Sequence, residues 1–120
     1  MNGFNFIADT NFLIKVHEGK PETEPFLDGL VVVSVISEIE LLGWPKLSLS
    51  EKKKLSSLLN DCVIMELTTE IKNLAIKFRQ QNNVKTPDAI IAATANFLQL
   101  PLVTSDKGFK KMKDIEIIFI

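Results

Sequence analysis

The sequence predicts an α/β domain of three layers, a central parallel sheet with helices on both faces. Short apolar runs typical of buried strands alternate with helical patterns from one end of the chain to the other. No linker, internal repeat or low-complexity segment interrupts that alternation. Because strand–helix–strand connections are right-handed and give parallel sheets, we expect a single domain over residues 1–120.

Composition narrows the class of protein. The 120 residues are 46% hydrophobic, enough for a substantial core. A net charge of -1 and a single arginine argue against whole-surface nucleic-acid binding and sequence-specific DNA recognition. Cys62 is the only cysteine and is expected to be an inert, buried thiol in a reducing cytoplasm. We expect neither a signal peptide nor a membrane span, since no apolar run approaches roughly 20 residues.

Five apolar runs are the expected strands, namely 4–8, 30–33, 62–67, 101–104 and 115–120. Helices are expected between them. The first follows Asn11 and closes at Gly19, and the second covers 35–42. The last segment before the final strand is a turn at 105–108 that leads into a short basic helix.

Side chains that can cap helices mark the other helix starts. Ser48 and Glu51 have the spacing of a capping box and open a helix to about residue 59. Thr68 can cap a helix with apolar residues at helical spacing. Thr86 is expected to cap a helix through residue 98, with Pro87 at its first position.

Four acidic residues are predicted at one edge of the sheet. Asp9 ends the first strand, Asp106 follows the fourth, Glu40 lies in the helix after the second, and Asp88 begins the helix that leads back to the fourth. Ligand crevices of open α/β sheets lie at this carboxyl edge. Each acid also has a local explanation that does not account for the shared edge.

Those local explanations are helix capping and the helix dipole. Asp9 and Asp106 could each cap a helix, and Glu40 could complete a capping box with Ser37. Asp88 could simply favour the dipole of its helix.

Clustered carboxylates repel one another and stay ionised only if a cation neutralises them. Ligands that are all oxygens favour a hard ion, Mg²⁺ or Mn²⁺. His17, the only histidine, is expected to be a partly exposed helix residue. A metal held by carboxylates at an open crevice suits the cleavage of phosphodiester bonds.

Four motifs resemble the PIN domain family, and more narrowly its VapC-type toxins. The resemblance covers essentially the whole chain. The motifs are Phe6-Ile7-Ala8-Asp9-Thr10-Asn11, Ser34-Val35-Ile36-Ser37-Glu38-Ile39-Glu40-Leu41-Leu42, Pro87-Asp88-Ala89-Ile90-Ile91-Ala92-Ala93-Thr94-Ala95 and Leu102-Val103-Thr104-Ser105-Asp106-Lys107-Gly108-Phe109.

The resemblance implies a Mg²⁺-dependent ribonuclease that is blocked by a cognate VapB-like antitoxin and forms a homodimer. It also implies a sheet centred on the first strand. The family's catalytic acids correspond to Asp9, Glu40, Asp88 and Asp106. Asn11 matches a polar residue that positions the first acid or the metal water. Thr104 matches a hydroxyl residue that supports the last acid.

Glu38 and Glu40 are both candidates in the second motif, but on a helix they are about 200° apart, so only one can face the site. The final Glu-Leu-Leu of the motif selects Glu40.

Lysines beside the fourth acid could hold the RNA backbone or form a solvated helix face; they are Lys107, Lys110, Lys111 and Lys113.

Two other functions remain open on the residues alone. A phosphoryl-receiver domain also places acids and Mg²⁺ at the carboxyl edge of a parallel sheet, but here no aspartate follows the third strand. A PIN-like domain that only binds RNA or a partner protein is the other alternative. Titration with metal distinguishes that alternative from a nuclease.

Overall fold

A parallel five-stranded sheet organises the computed structural model, which describes residues 4–120. Residues 1–3 of the expected domain lie outside the described residues. The strand order is β3-β2-β1-β4-β5, so β1 is central, as expected. The strands are β1 (Asn5–Ala8), β2 (Leu30–Ser34), β3 (Val63–Met65), β4 (Leu102–Thr104) and β5 (Ile117–Phe119).

Helices cover both faces of this sheet. They are α1 (Thr10–His17), α2 (Val35–Leu42), α3 (Leu49–Asn60), α4 (Thr69–Gln81) and α5 (Thr86–Leu98). Two 3₁₀ helices add to them, Pro21–Phe26 and Lys107–Lys111. No helix in residues 4–120 has the length and apolar character needed to cross a membrane.

Alternation along the strands divides the core in two. Phe6 and Ala8 belong to a cluster with residues of α1, α2 and α3. Ile7, between them, belongs to a second cluster with residues of α4 and α5. Successive strand residues face opposite sides of a sheet, so both faces are covered and the predicted three-layer α/β/α fold is confirmed.

Several boundaries differ from the sequence-based expectation. The strands expected at 62–67 and 115–120 are each only three residues long, and the 3₁₀ helix Pro21–Phe26 lies between α1 and β2. Thr86 was expected to be a cap, and this is wrong. Lys85 is the extended N-cap residue, and Thr86 is already helical. The helix can begin there because the first N–H groups of a helix have no partner within it, so Pro87 near its start costs no hydrogen bond.

The strand register brings the ends of β1 and β4 side by side. Ala8 pairs with Val103, so the next residues along, Asp9 and Thr104, are also neighbours. On the other side, Ala8 pairs with Val33. All four strand pairings are parallel, so every strand ends at the same edge.

Candidate active site

Four acids line one pocket at the carboxyl edge of the sheet. Its volume is about 150 Å³. Its walls are formed by polar residues and one apolar side chain, namely Asp9, Thr10, Asn11, Glu40, Asp88, Ile91 and Asp106. The four acids therefore come together from four separate segments of the chain, although their roles in catalysis remain predictions.

Asp9 is the most constrained of the four. It is only 3% exposed. Its Oδ1 accepts a hydrogen bond from the backbone N–H of Phe12 at 2.8 Å, so it does cap α1. Its Oδ2 accepts one from the hydroxyl of Thr104 at 2.5 Å. Capping and membership of the pocket are thus compatible, because each oxygen of the carboxylate can serve a different partner.

Thr104 connects the first and last acids. Its hydroxyl oxygen accepts a hydrogen bond from the backbone N–H of Asp106 at 2.9 Å while its proton goes to Asp9. The Thr104 hydroxyl therefore contacts the carboxylate of Asp9, whereas its contact with Asp106 is to the backbone N–H. The Asp106 Oδ1 in turn accepts from the N–H of Gly108 at 2.8 Å, which caps the second 3₁₀ helix.

Glu40 is held from α1. The Thr10 hydroxyl oxygen lies 2.7 Å from Glu40 Oε1 and 2.9 Å from Ser37 Oγ. A threonine hydroxyl has one proton and a carboxylate can only accept, so the consistent arrangement is Ser37 donating to Thr10 and Thr10 donating to Glu40. Ser37 does not cap α2, because Ser34 does so through Ile36. The alternative explanation of Glu40, as part of a capping box with Ser37, is therefore wrong.

Of the two glutamates in α2, Glu40 lines the pocket and Glu38 is not among its lining residues. Since the two point about 200° apart on a helix, the preference for Glu40 agrees with this geometry.

Burial and mutual repulsion shape the electrostatics of the pocket. The pKa of Asp9 is raised to about 6, mainly because the carboxyl group is buried. The hydrogen bonds from Thr104 and from the Phe12 N–H lower this pKa, and the negative charges of Asp106 and Asp88 raise it. The pKa of Asp88 is also raised, first by burial and then by Asp106 and Glu40, although Lys85 and Lys111 oppose this. Groups with such shifted pKa values are common at functional sites.

The chemistry of the donor atoms fits a hard divalent cation, since the acids supply only oxygens. Within residues 4–120, however, no three side chains of His, Cys, Asp or Glu are close enough together to hold a metal ion as they stand. The acids share a pocket without forming a closed coordination group.

The four lysines that could hold the RNA backbone have different surroundings in the structure. Lys111 Nζ donates to the backbone oxygen of Asn83 at 2.8 Å. The Lys110 ammonium lies 5.8 Å from the centre of the Phe119 ring. Lys107 and Lys113 are exposed.

A family model described as the PIN domain matches residues 6–115, so the chain belongs to the PIN domain family. No curated protein matches the sequence. Family membership sets aside the phosphoryl-receiver alternative.

Several solved structures share the fold. VapBC2 from Rickettsia felis, bound to a promoter DNA fragment, is 17% identical with a TM-score of 0.86, and the match covers 98% of this chain and 99% of that chain. A toxin–antitoxin complex from Klebsiella pneumoniae is 26% identical with a TM-score of 0.81, covering 94% and 95%. DNA-bound VapBC from Salmonella typhimurium is 23% identical with a TM-score of 0.82, covering 97% and 98%.

Sequence reasoning missed Thr10 as a residue of the site. The only signal was its position, since a hydroxyl directly after the strand-ending Asp9 lies at the carboxyl edge. Its partners Ser37 and Glu40 lie 27 and 30 residues away, so the contact itself could not be read from the sequence.

Proposed function

We propose that this chain is a Mg²⁺- or Mn²⁺-dependent endoribonuclease of the VapC type, acting in the cytoplasm as one PIN domain over residues 1–120. The observation that carries the proposal is the convergence of Asp9, Glu40, Asp88 and Asp106 on one pocket at the carboxyl edge of a PIN fold. An all-oxygen pocket that concentrates negative charge suits a divalent cation and, through it, a phosphodiester.

In this proposal Asp9, Asp88 and Asp106 would hold the cation after their side chains move closer together, and Glu40 would hold it or orient the attacking water. A bound divalent cation supplies Lewis acidity toward the phosphate and the water. Asp9 must be ionised to act as a ligand, and its raised pKa makes the site sensitive to pH near 6.

Neighbouring residues fix those acids in place. Thr104 and the Phe12 N–H hold one oxygen of Asp9 each, and Thr10 holds Glu40. Exposed Asn11 lies in the pocket wall, where its amide can position the first acid or the water. No protein nucleophile is needed: burial raises the pKa of the Cys62 thiol to about 11, so the thiol stays protonated at neutral pH.

The proposed partners are RNA, a VapB-like antitoxin and a second copy of the chain. Support for the antitoxin is the likeness to toxin–antitoxin complexes, one of them at 26% identity over nearly the whole chain. An antitoxin that inserts a basic side chain among the four acids would mimic the cation. Lys107, Lys110 and Lys111 are proposed to hold the RNA backbone next to the acids.

The test is RNA cleavage with and without Mg²⁺ by the wild type and by Asp9→Asn. We expect the variant to lose roughly a hundredfold or more of the Mg²⁺-dependent activity, because a ligand of the cation is removed. Glu66→Gln is the matched control, since Glu66 is an exposed acid directly after β3 at the same edge and is not among the pocket's lining residues.

Full cleavage by Asp9→Asn, in preparations free of contaminating nuclease, would refute its role. A wild-type protein that binds Mg²⁺ and RNA but cleaves no RNA would instead support the non-catalytic alternative.

A further inference from the structure

A groove lies between α4 and the segment that carries Lys111, Lys113 and Asp114. It consists of two adjoining depressions of about 250 and 350 Å³. Both are lined by Phe78, Gln81 and Asp114, so they form one continuous surface, here called the α4 groove. Lys77 lines only the first depression, and Lys113 lines only the second.

The charged groups of the α4 groove are three lysines and one aspartate, namely Lys77, Lys111, Lys113 and Asp114. All four are exposed. The groove is therefore net positive although the chain as a whole carries a charge of -1. Amide side chains, including Gln81 and Asn82, complete its polar lining. Lysines and amides are common partners of phosphate and sugar groups in nucleic acids.

Lys111 joins the α4 groove to the acid pocket. Its Nζ donates to the backbone oxygen of Asn83, just before α5 begins. Lys111 is also the last residue of the 3₁₀ helix Lys107–Lys111, whose N-cap residue Asp106 lines the acid pocket. A chain of phosphates lying in the groove would thus lead directly to the acids.

We infer that the α4 groove holds the phosphodiester backbone of single-stranded RNA on one side of the bond to be cut. This inference rests on the proposed ribonuclease function and adds the path of the substrate. Lys77 pairs with a phosphate remote from the cut, Lys113 pairs with one closer to it, and Lys111 pairs with the phosphate nearest to Asp88. The carboxylate of Asp114 repels phosphate but can accept a hydrogen bond from a ribose 2′-hydroxyl, which favours RNA over DNA.

The test compares two double variants that remove the same charge. One, here called the groove pair, is Lys77→Gln with Lys113→Gln in the α4 groove. The other, here called the α3 pair, is Lys52→Gln with Lys53→Gln on the exposed face of α3, away from the groove. Each lowers the net charge from -1 to -3. Lys111 is left unchanged, because its removal would also alter the pKa of Asp88.

We expect the groove pair to raise KM for RNA roughly tenfold with kcat retained, because ground-state contacts to the backbone are lost. Binding of an end-labelled, mixed-sequence single-stranded RNA is measured in the Asp9→Asn background, where cleavage does not interfere. There the dependence of log affinity on log salt should become less steep by about 1.4, or about 0.7 for each lysine. The α3 pair should match its parent in both measurements.

Three outcomes separate the possibilities. If the wild type cleaves RNA and the groove pair behaves like the α3 pair, the inference is overturned and the proposed function stands. If the wild type cleaves nothing, the proposed function fails, and the binding titration still decides whether RNA occupies the groove. If the groove pair changes only the oligomeric state in light scattering, the groove is a protein interface and the inference is wrong. Thermal melts of both pairs show whether folding is intact.

Discussion

The acids that follow strands are held differently from the acids that come from helices. Asp9 and Asp106 are each fixed by a backbone N–H at a helix start, and Thr104 connects them. Glu40 is exposed and held through the hydroxyl of Thr10. Asp88 is half-buried in the first turn of α5.

The difference shows how a folded chain can tolerate several carboxylates in one pocket. The strand-end pair is positioned by the sheet register and by helix starts, which any sequence with this topology must build. Those contacts belong to folding as much as to function. The helix acids extend into the pocket from elements whose stability depends mainly on their apolar faces, so their side chains are freer to adjust to a ligand. Substitutions should therefore affect stability mainly at the strand ends.

The largest effect on stability is expected at Asp9. Its pKa is raised to about 6 in the folded protein, from an ordinary value of 3.8. The folded state thus holds the proton more tightly than the unfolded chain, and the wild type loses stability as pH rises through this window. A shift of this size corresponds to about 3 kcal/mol. Asp9→Asn avoids that loss, so we expect it to be more stable than the wild type above pH 6.

Urea unfolding in the presence of a chelator, at several pH values, measures this difference. The advantage of Asp9→Asn should shrink below pH 6 and vanish below the unfolded-state pKa near 3.8. Glu66→Gln again serves as the control. A stability difference that does not change with pH would show that burial of a charge is not the cause.

A smaller effect is expected at Thr10. Thr10→Val keeps the shape of the side chain but removes the hydrogen bond to Glu40 and leaves the buried hydroxyl of Ser37 without its acceptor. We expect the free energy of unfolding to fall by about 1–2 kcal/mol, mainly because a buried hydroxyl is left unsatisfied. The Mg²⁺ concentration for half-maximal cleavage should rise several-fold, since Glu40 is no longer positioned. Thr10→Ser keeps the hydroxyl and should restore both values. Equal behaviour of the valine and serine variants would contradict a positioning role.

Much of this arrangement could be predicted from the residues. The alternation of apolar runs and helical patterns fixes a parallel sheet, and a parallel sheet places Asp9 and Asp106 at one edge. The local signals for capping were also informative, because Thr68 and Ser48 do cap α4 and α3. Resemblance of four motifs to the PIN family agreed with the family match.

Other features depend on contacts that a single sequence does not encode locally. Thr104 and Asp9 are 95 residues apart, and only the pairing of β1 with β4 makes them neighbours. The start of α5 was misjudged by one residue because threonine is a favoured N-cap type, whereas here Lys85 occupies that position without a side-chain cap hydrogen bond. The α4 groove combines residues of α4 and α5 with Lys111, Lys113 and Asp114, so no motif predicts it.

The most direct test of the central claim is a Mg²⁺ titration of the folded protein, without RNA, followed by thermal unfolding at neutral pH. A cation held by the four acids should stabilise the wild type in a saturable way, by about 2.7 kcal/mol at a hundredfold excess over its dissociation constant. Asp9→Asn should gain little or nothing. Equal stabilisation of both proteins, or none in the wild type, would contradict the account.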